Sequence, residues 1–265
     1  MTLVPLNSQL VVPYNAEQLQ YIQDQGFVRA SSQTPQRLII NLAGPEKTGK
    51  THLALTGRSP VYVFSLDIGT EGVVEKFARA GIDVFLYEVR FERSAATGTE
   101  QQQQQIWLRQ WEGLKQALWT AYSMNPGTVI LDTWTEAYEL SRLAHFGKIG
   151  AMPNQYPVVY ADLRGVVRWA YDHPTATTIF IHKMAKKYQS EQLEVKGFSD
   201  MDFLVQLNIQ NSRQDPEQPG TLPNFSAWVK DCRQNPFCNG YSLGGDQFSI
   251  QYLEWFVHQW SPNGV

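Results

Sequence analysis

The chain reads as an α/β protein with a mostly parallel central sheet flanked by helices. Three observations point there. Gly44-Pro45-Glu46-Lys47-Thr48-Gly49-Lys50-Thr51 matches the phosphate-cradling loop G-x-x-x-x-G-K-[ST] at every fixed position. The loop stands between a short apolar run and the start of a helical pattern. Several further apolar, β-branched runs alternate with helical segments, and this alternation builds parallel sheets.

Arg37 to Leu42 is the first strand, and Lys50 to Thr56 opens the helix after the loop. Val61 to Leu66 is a buried-type strand ending near Asp67 and Gly69; Gly72 to Ala80 is a helix closed by Gly81; Val84 to Tyr87 is a third strand. Residues 90–100 form a polar linker. The five glutamines at 101–105 lead into a helix through Trp107, Leu108, Trp111, Leu114, Leu118 and Trp119. Glutamine is a good helix former, so this run is a solvated helix start. Thr128 to Asp132 is an apolar strand ending in a carboxylate, after an Asn125-Pro126-Gly127 turn. Two glycines and two prolines make residues 147–157 a loop, and a helix follows through Leu163, Val166, Val167, Trp169 and Ala170. Thr178 to Ile181 is the next buried strand and ends at His182. The polar stretch 183–197 after it carries Lys183, Lys186, Lys187 and Lys196. Phe203 to Gln210, Phe225 to Val229 and Phe248 to Phe256 read as antiparallel C-terminal strands. Residues 1–36 form an N-terminal arm with one short helix around Ala16–Ile22, and residues 37–265 form the core domain.

The loop chemistry names its ligand class. Its glycines let the backbone turn N–H groups toward phosphate, Lys50 reaches the β/γ oxygens, and the Thr51 hydroxyl takes one position on Mg²⁺. A helix N-terminus adds partial positive charge. Gly44 through Thr51, with His52, are therefore the expected contacts of a nucleoside triphosphate, and Thr51 with Asp132 the expected Mg²⁺ ligands. The 265 residues, 43% apolar, are enough for one sizeable core. A net charge of −3 provides no global basic field, so any nucleic-acid contact must come from a local patch. Cys232 and Cys238 are spaced as neither a zinc ribbon nor a redox pair, and are expected as free thiols. No apolar run is long enough for a membrane span, and Met1 to Pro5 lacks signal-peptide character, so a cytoplasmic protein is expected.

The order of elements from about Arg37 to Phe256 resembles the RecA-type ATPase core, and the loop is similar to the G-P-E-x-x-G-K-T form of RecA-family recombinases. More narrowly, the chain looks like the bacteriophage RecA-like ATPases grouped with single-strand-annealing recombination proteins; for a phage-encoded protein, the compartment would be the host cytoplasm. That resemblance implies Mg²⁺-dependent ATP hydrolysis on single-stranded DNA, a homo-oligomeric ring or filament, and a single-strand-binding protein as a possible partner. It implies Asp67 as catalytic base, with Glu71 as substitute, and His182 as sensor of the γ-phosphate. It also implies that residues 147–157 and 183–197 are DNA loops, the second through Lys183, Lys186, Lys187 and Lys196. Lys230 and Arg233 would reach a neighbouring subunit's γ-phosphate. Arg233 lies one residue beyond the family spacing, so it would face the other way unless a bulge intervenes. The competing readings are a hexameric-helicase-like motor, a small-molecule kinase and a nucleotide-dependent packaging partner without DNA contacts.

Overall fold

The computed structural model describes residues 15–27, 36–89, 98–147, 156–186, 193–216 and 221–259. The chain divides into a unit of residues 1–34 and a unit of residues 35–265. In the first, helix α1 (Ala16–Asp24) starts at Asn15, whose side chain accepts from the Gln18 N–H while Gln18 returns a bond to the Asn15 N–H. This reciprocal cap satisfies two otherwise orphaned donors.

The second unit is built on nine strands among the described residues: β1 (Ile39–Gly44), β2 (Val61–Ser65), β3 (Val84–Glu88), β4 (Thr128–Asp132), β5 (Thr177–Lys186), β6 (Leu193–Val195), β7 (Leu207–Gln214), β8 (Asn224–Cys232) and β9 (Ser242–Gly244). Their order is β3-β2-β4-β5-β1-β7-β8-β9, with β6 hydrogen-bonded to β5. β3, β2, β4, β5, β1 and β7 run parallel, while β8 and β9 continue antiparallel and β6 pairs antiparallel with β5. The expected fold class, a mostly parallel sheet with antiparallel strands at its C-terminal side, is the one found.

Helices cover both faces. α4 (Glu100–Ser123), α5 (Trp134–Phe146) and α6 (Tyr156–Asp172) pack on one face against Phe64, Val129, Leu131 and Phe180. On the other, α2 (Lys50–Leu55) and α8 (Ile250–Gln259) bury Leu53, Leu55, Leu253 and Val257 against Ile40, Leu42, Ile130 and Ile181, with Val74 of α3 (Val74–Arg79). Alternate residues of each strand thus feed opposite layers, so central strands read as continuous apolar runs. The glutamine run belongs to α4, whose Thr99 cap and Gln102 bond reciprocally.

Three expectations change. Phe248–Phe256 is a helix from Ile250, because Ile250, Leu253, Phe256 and Val257 fall on one helical face and all are buried. The strand expected from Phe203 starts only at Leu207, since Met201–Leu204 forms a short helix, α7. Lys183 and Lys186 are not loop residues: β5 extends through Lys186 and forms a hairpin with β6, pairing Met184 with Val195 and Lys186 with Leu193. The expected loop at 147–157 falls largely outside the described residues, as does Lys187.

Candidate nucleotide site

β1 delivers the chain to its carboxyl edge at Gly44, where two constraints exclude a side chain. A Cβ there would lie 2.9 Å from the Asn211 carbonyl oxygen and 2.9 Å from Thr48 Oγ1. The loop then folds over itself: Thr48 Oγ1 donates to the Pro45 carbonyl at 2.9 Å, and Asn211 Nδ2 donates to the Thr48 carbonyl at 3.2 Å. Gly49 has φ of 78° and precedes α2 without a side-chain cap, so the loop enters the helix through a left-handed residue. Lys50 lies over the loop, its ammonium donating to the carbonyls of Gly44 at 2.9 Å and Pro45 at 2.7 Å. Burial lowers the Lys50 pKa against the opposing pull of Asp132 and Glu46. Glu46 and Lys47 are exposed, while Thr48 is buried. His52 packs edge-on against Phe77, ring centroids 4.9 Å apart.

Thr51 Oγ1 donates to Asp132 Oδ2 at 2.6 Å, across 81 residues of sequence. The contact exists because β4 and β1 flank β5, and both strands end at the same edge. Asp132 is 5% exposed, and burial pushes its carboxyl above the usual range despite the Thr51 hydroxyl and the Lys50 charge. A buried carboxylate beside a hydroxyl is a hard oxygen donor pair short of positive charge, which suits Mg²⁺.

Asp67 follows β2 at this edge. Its carboxylate Oδ2 lies 2.8 Å from Lys183 Nζ. Burial pushes Asp67 upward, but the Lys183 hydrogen bond and charge, with the amides of Ile68 and Gly69, outweigh it and hold the carboxyl below its usual range. Glu71 is exposed and lines an open cleft of about 420 Å³ with Asp67, Ile68, Leu86 and Glu88.

His182 is not brought to the loop. Alternation along β5 turns Ile181 and Lys183 toward the α2 face and His182 toward the α4–α6 face. It is 0% exposed; Nδ1 approaches the Lys196 carbonyl at 3.4 Å and Nε2 has no partner among the described residues. Burial lowers its pKa to about 4, so it is neutral. Lys183 is the β5 residue at the site. It stands opposite Gly44 in the β1–β5 register and also binds Glu136 Oε1 at 2.6 Å. The sequence signal for Glu136 is the Thr133-x-x-Glu136 spacing at the start of α5, where Thr133 accepts from the Glu136 N–H.

Lys186 and Lys196 are exposed on the β5–β6 hairpin and just after it, and the hairpin also carries Glu194. On β8, the register skips Lys230 between Val229 and Asp231, which is the bulge that Arg233 required. Lys230 reaches Asp202 Oδ2 at 3.0 Å, and Arg233 donates to the Phe203 carbonyl, so both converge on α7. Cys232 and Cys238 are free and buried. No described helix is long and apolar enough to cross a membrane.

No protein-family model matches this chain. No curated protein matches it either. Among solved structures, the crystal structure of the RadB recombinase is similar over 79% of this chain and 86% of that one, at 16% identity and a TM-score of 0.44. That likeness is too distant to carry an argument about this chain's chemistry.

Proposed function

We propose that this chain is a Mg²⁺-dependent ATPase of the RecA type that acts on single-stranded DNA in recombination, annealing or replication. The observation that carries the nucleotide reading is the 2.6 Å contact of Thr51 with Asp132 beside Lys50 and the folded loop. The loop amides and Lys50 would bind the β- and γ-phosphates, and Thr51 and Asp132 would hold Mg²⁺. When bound, the cation would offset phosphate charge. Asp67, a carboxylate at the same edge, would orient the attacking water and accept its proton.

The DNA reading rests on Lys186, exposed on a hairpin that extends β5 from the nucleotide edge, and on Lys196, exposed just after it. Coupling would run through β5, since Lys183 at the loop and Lys186 on the hairpin are three residues apart on one strand. Lys230 and Arg233 would complete a neighbour's site in a homo-oligomer by exchanging Asp202 and the Phe203 carbonyl for a phosphate. A single-strand-binding protein is a candidate partner in that setting.

The test is ATP hydrolysis measured with Mg²⁺ in the presence and absence of single-stranded DNA. Stimulation by DNA supports the whole reading. Hydrolysis without any DNA response or binding favours a P-loop ATPase or kinase without DNA contacts.

A further inference from the structure

We propose that Asn211 is a positioning residue of the nucleotide site, its side-chain amide holding the Thr48–Gly49 peptide so that the Gly49 N–H faces the phosphates. This rests on the nucleotide-site reading above and concerns a residue of β7, far outside the loop motif in sequence.

Register brings β7 to the loop. Gln210 pairs with Ala43, the residue before Gly44, so Asn211 lies where the chain leaves β1 for the loop. The approach is close: a Cβ on Gly44 would meet the Asn211 carbonyl oxygen at 2.9 Å and the Asn211 Cβ at 3.1 Å. Strand alternation sets the side-chain direction, because Leu207 and Ile209 pack on the α2 face and Asn211 shares their parity. Its Nδ2 donates to the Thr48 carbonyl at 3.2 Å, across 163 residues of sequence.

The bond fixes a peptide plane. In a trans peptide the C=O and N–H point in opposite directions, so a Thr48 carbonyl turned toward β7 sends the Gly49 N–H to the other side. That N–H has no acceptor among the described residues. It stands at the N-terminus of α2, where backbone donors lack intrahelical partners and serve as phosphate ligands. Gly49, without a Cβ and with φ of 78°, would by itself let this peptide rotate. Asn211 restrains the carbonyl, and the Thr48 side chain is tied in turn to the Pro45 carbonyl.

The energetics favour a role in the loop over a role in folding. Asn211 is fully buried, yet its Oδ1 has no partner among the described residues. A side-chain amide can donate two hydrogen bonds and accept two, so one bond to Thr48 uses a small part of its capacity and adds little to stability. Leucine has the same branched shape without polar atoms and would fill the position.

The experiment measures affinity for ADP and for a slowly hydrolysed ATP analogue, each with Mg²⁺, by displacement of a fluorescent nucleotide, alongside the melting temperature of the ligand-free protein. A charge-assisted hydrogen bond from an aligned amide is worth roughly tenfold in affinity. Asn211→Leu is expected to lose about that factor for both nucleotides alike, since both carry the β-phosphate that the loop amides meet. Its ligand-free melting temperature should stay within about 2 °C of wild type. Asn211→Gln, which keeps the amide donor, should recover part of the affinity. Affinities in Asn211→Leu within about twofold of wild type, a loss confined to the triphosphate, a loss that Asn211→Gln does not reduce, or a loss accompanied by collapse of the ligand-free melting transition would each overturn the proposal. A wild-type chain that binds neither nucleotide would overturn the nucleotide-site reading itself, and that control tells the two failures apart.

Discussion

Replacing Gly49 with alanine puts a methyl group on a residue whose φ is 78° and whose Cβ would sit 3.2 Å from the Phe225 ring. A left-handed conformation costs an L-residue roughly 1–2 kcal/mol. The Phe225 contact adds to this only by the few tenths of an ångström that the ring must yield. A loss of about 1–2 kcal/mol corresponds to a melting temperature lower by roughly 2–8 °C in a domain of this size. Nucleotide affinity should fall further, because relieving the strain turns the loop amides away from their cradle. Gly69→Ala is the control: a Cβ there meets nothing within 4 Å, and its φ lies outside the left-handed region, so stability should be unchanged or slightly raised. Thermal unfolding with and without Mg²⁺ and ATP measures both effects. Equal melting temperatures and equal nucleotide-induced shifts for Gly49→Ala and wild type would refute the loop geometry as the basis of binding.

The remaining predictions follow from single contacts. Asp132→Asn should weaken Mg²⁺-dependent nucleotide binding, whereas Asp67→Asn should leave binding nearly intact and suppress turnover; equal turnover in Asp67→Asn would move the base to Glu71 or elsewhere. Lys230→Ala should bind ATP yet hydrolyse it poorly, and mixing with Lys50→Ala protein should restore part of the activity; a monomer by light scattering under ATP and DNA would exclude the interface role. Lys186→Ala should weaken single-stranded DNA binding for all sequences and reduce the log–log salt slope by about 0.7, read by fluorescence anisotropy at several salt concentrations. His182 stays neutral in the fold, with a pKa of about 4, but takes up a proton near its ordinary value when unfolded. Its contribution to stability is complete above the unfolded value and is lost as pH falls toward 4, by about 3 kcal/mol over that window. Urea denaturation of His182→Gln should therefore show a shallower loss between pH 6.5 and 4 than wild type; identical slopes would place the proton elsewhere.

The loop, the strands β1, β2 and β4 and the helix α4 were legible because motif, β-branching and period all pointed the same way. α5 is not legible in the same way, although Trp134, Ala137, Tyr138, Leu140 and Ser141 are buried along one face. Its two polar buried positions, Thr135 and Ser141, blur the apolar stripe. The C-terminal segment misled because aromatic residues at Phe248, Tyr252 and Phe256 suit a strand as well as a helix, and only packing on the sheet decides. Lys183 was hidden for a different reason. A lysine in a polar stretch looks solvated, and only the register opposite Gly44 brings it beside Asp67 and Glu136, residues 116 and 47 positions away in sequence. Pairing register across parallel strands is a tertiary property, so site residues contributed by it are the last to be read from a chain.

The most direct measurement is inorganic phosphate release from ATP by purified wild-type and Lys50→Ala protein, with Mg²⁺ and single-stranded DNA present. Lys50 supplies charge that compensates the developing transition state, and its loss should slow turnover by about a hundredfold or more. Nucleotide-dependent hydrolysis by wild type that collapses in Lys50→Ala is the result this account predicts. Wild-type rates in Lys50→Ala, or no hydrolysis by wild type at millimolar ATP, would contradict it.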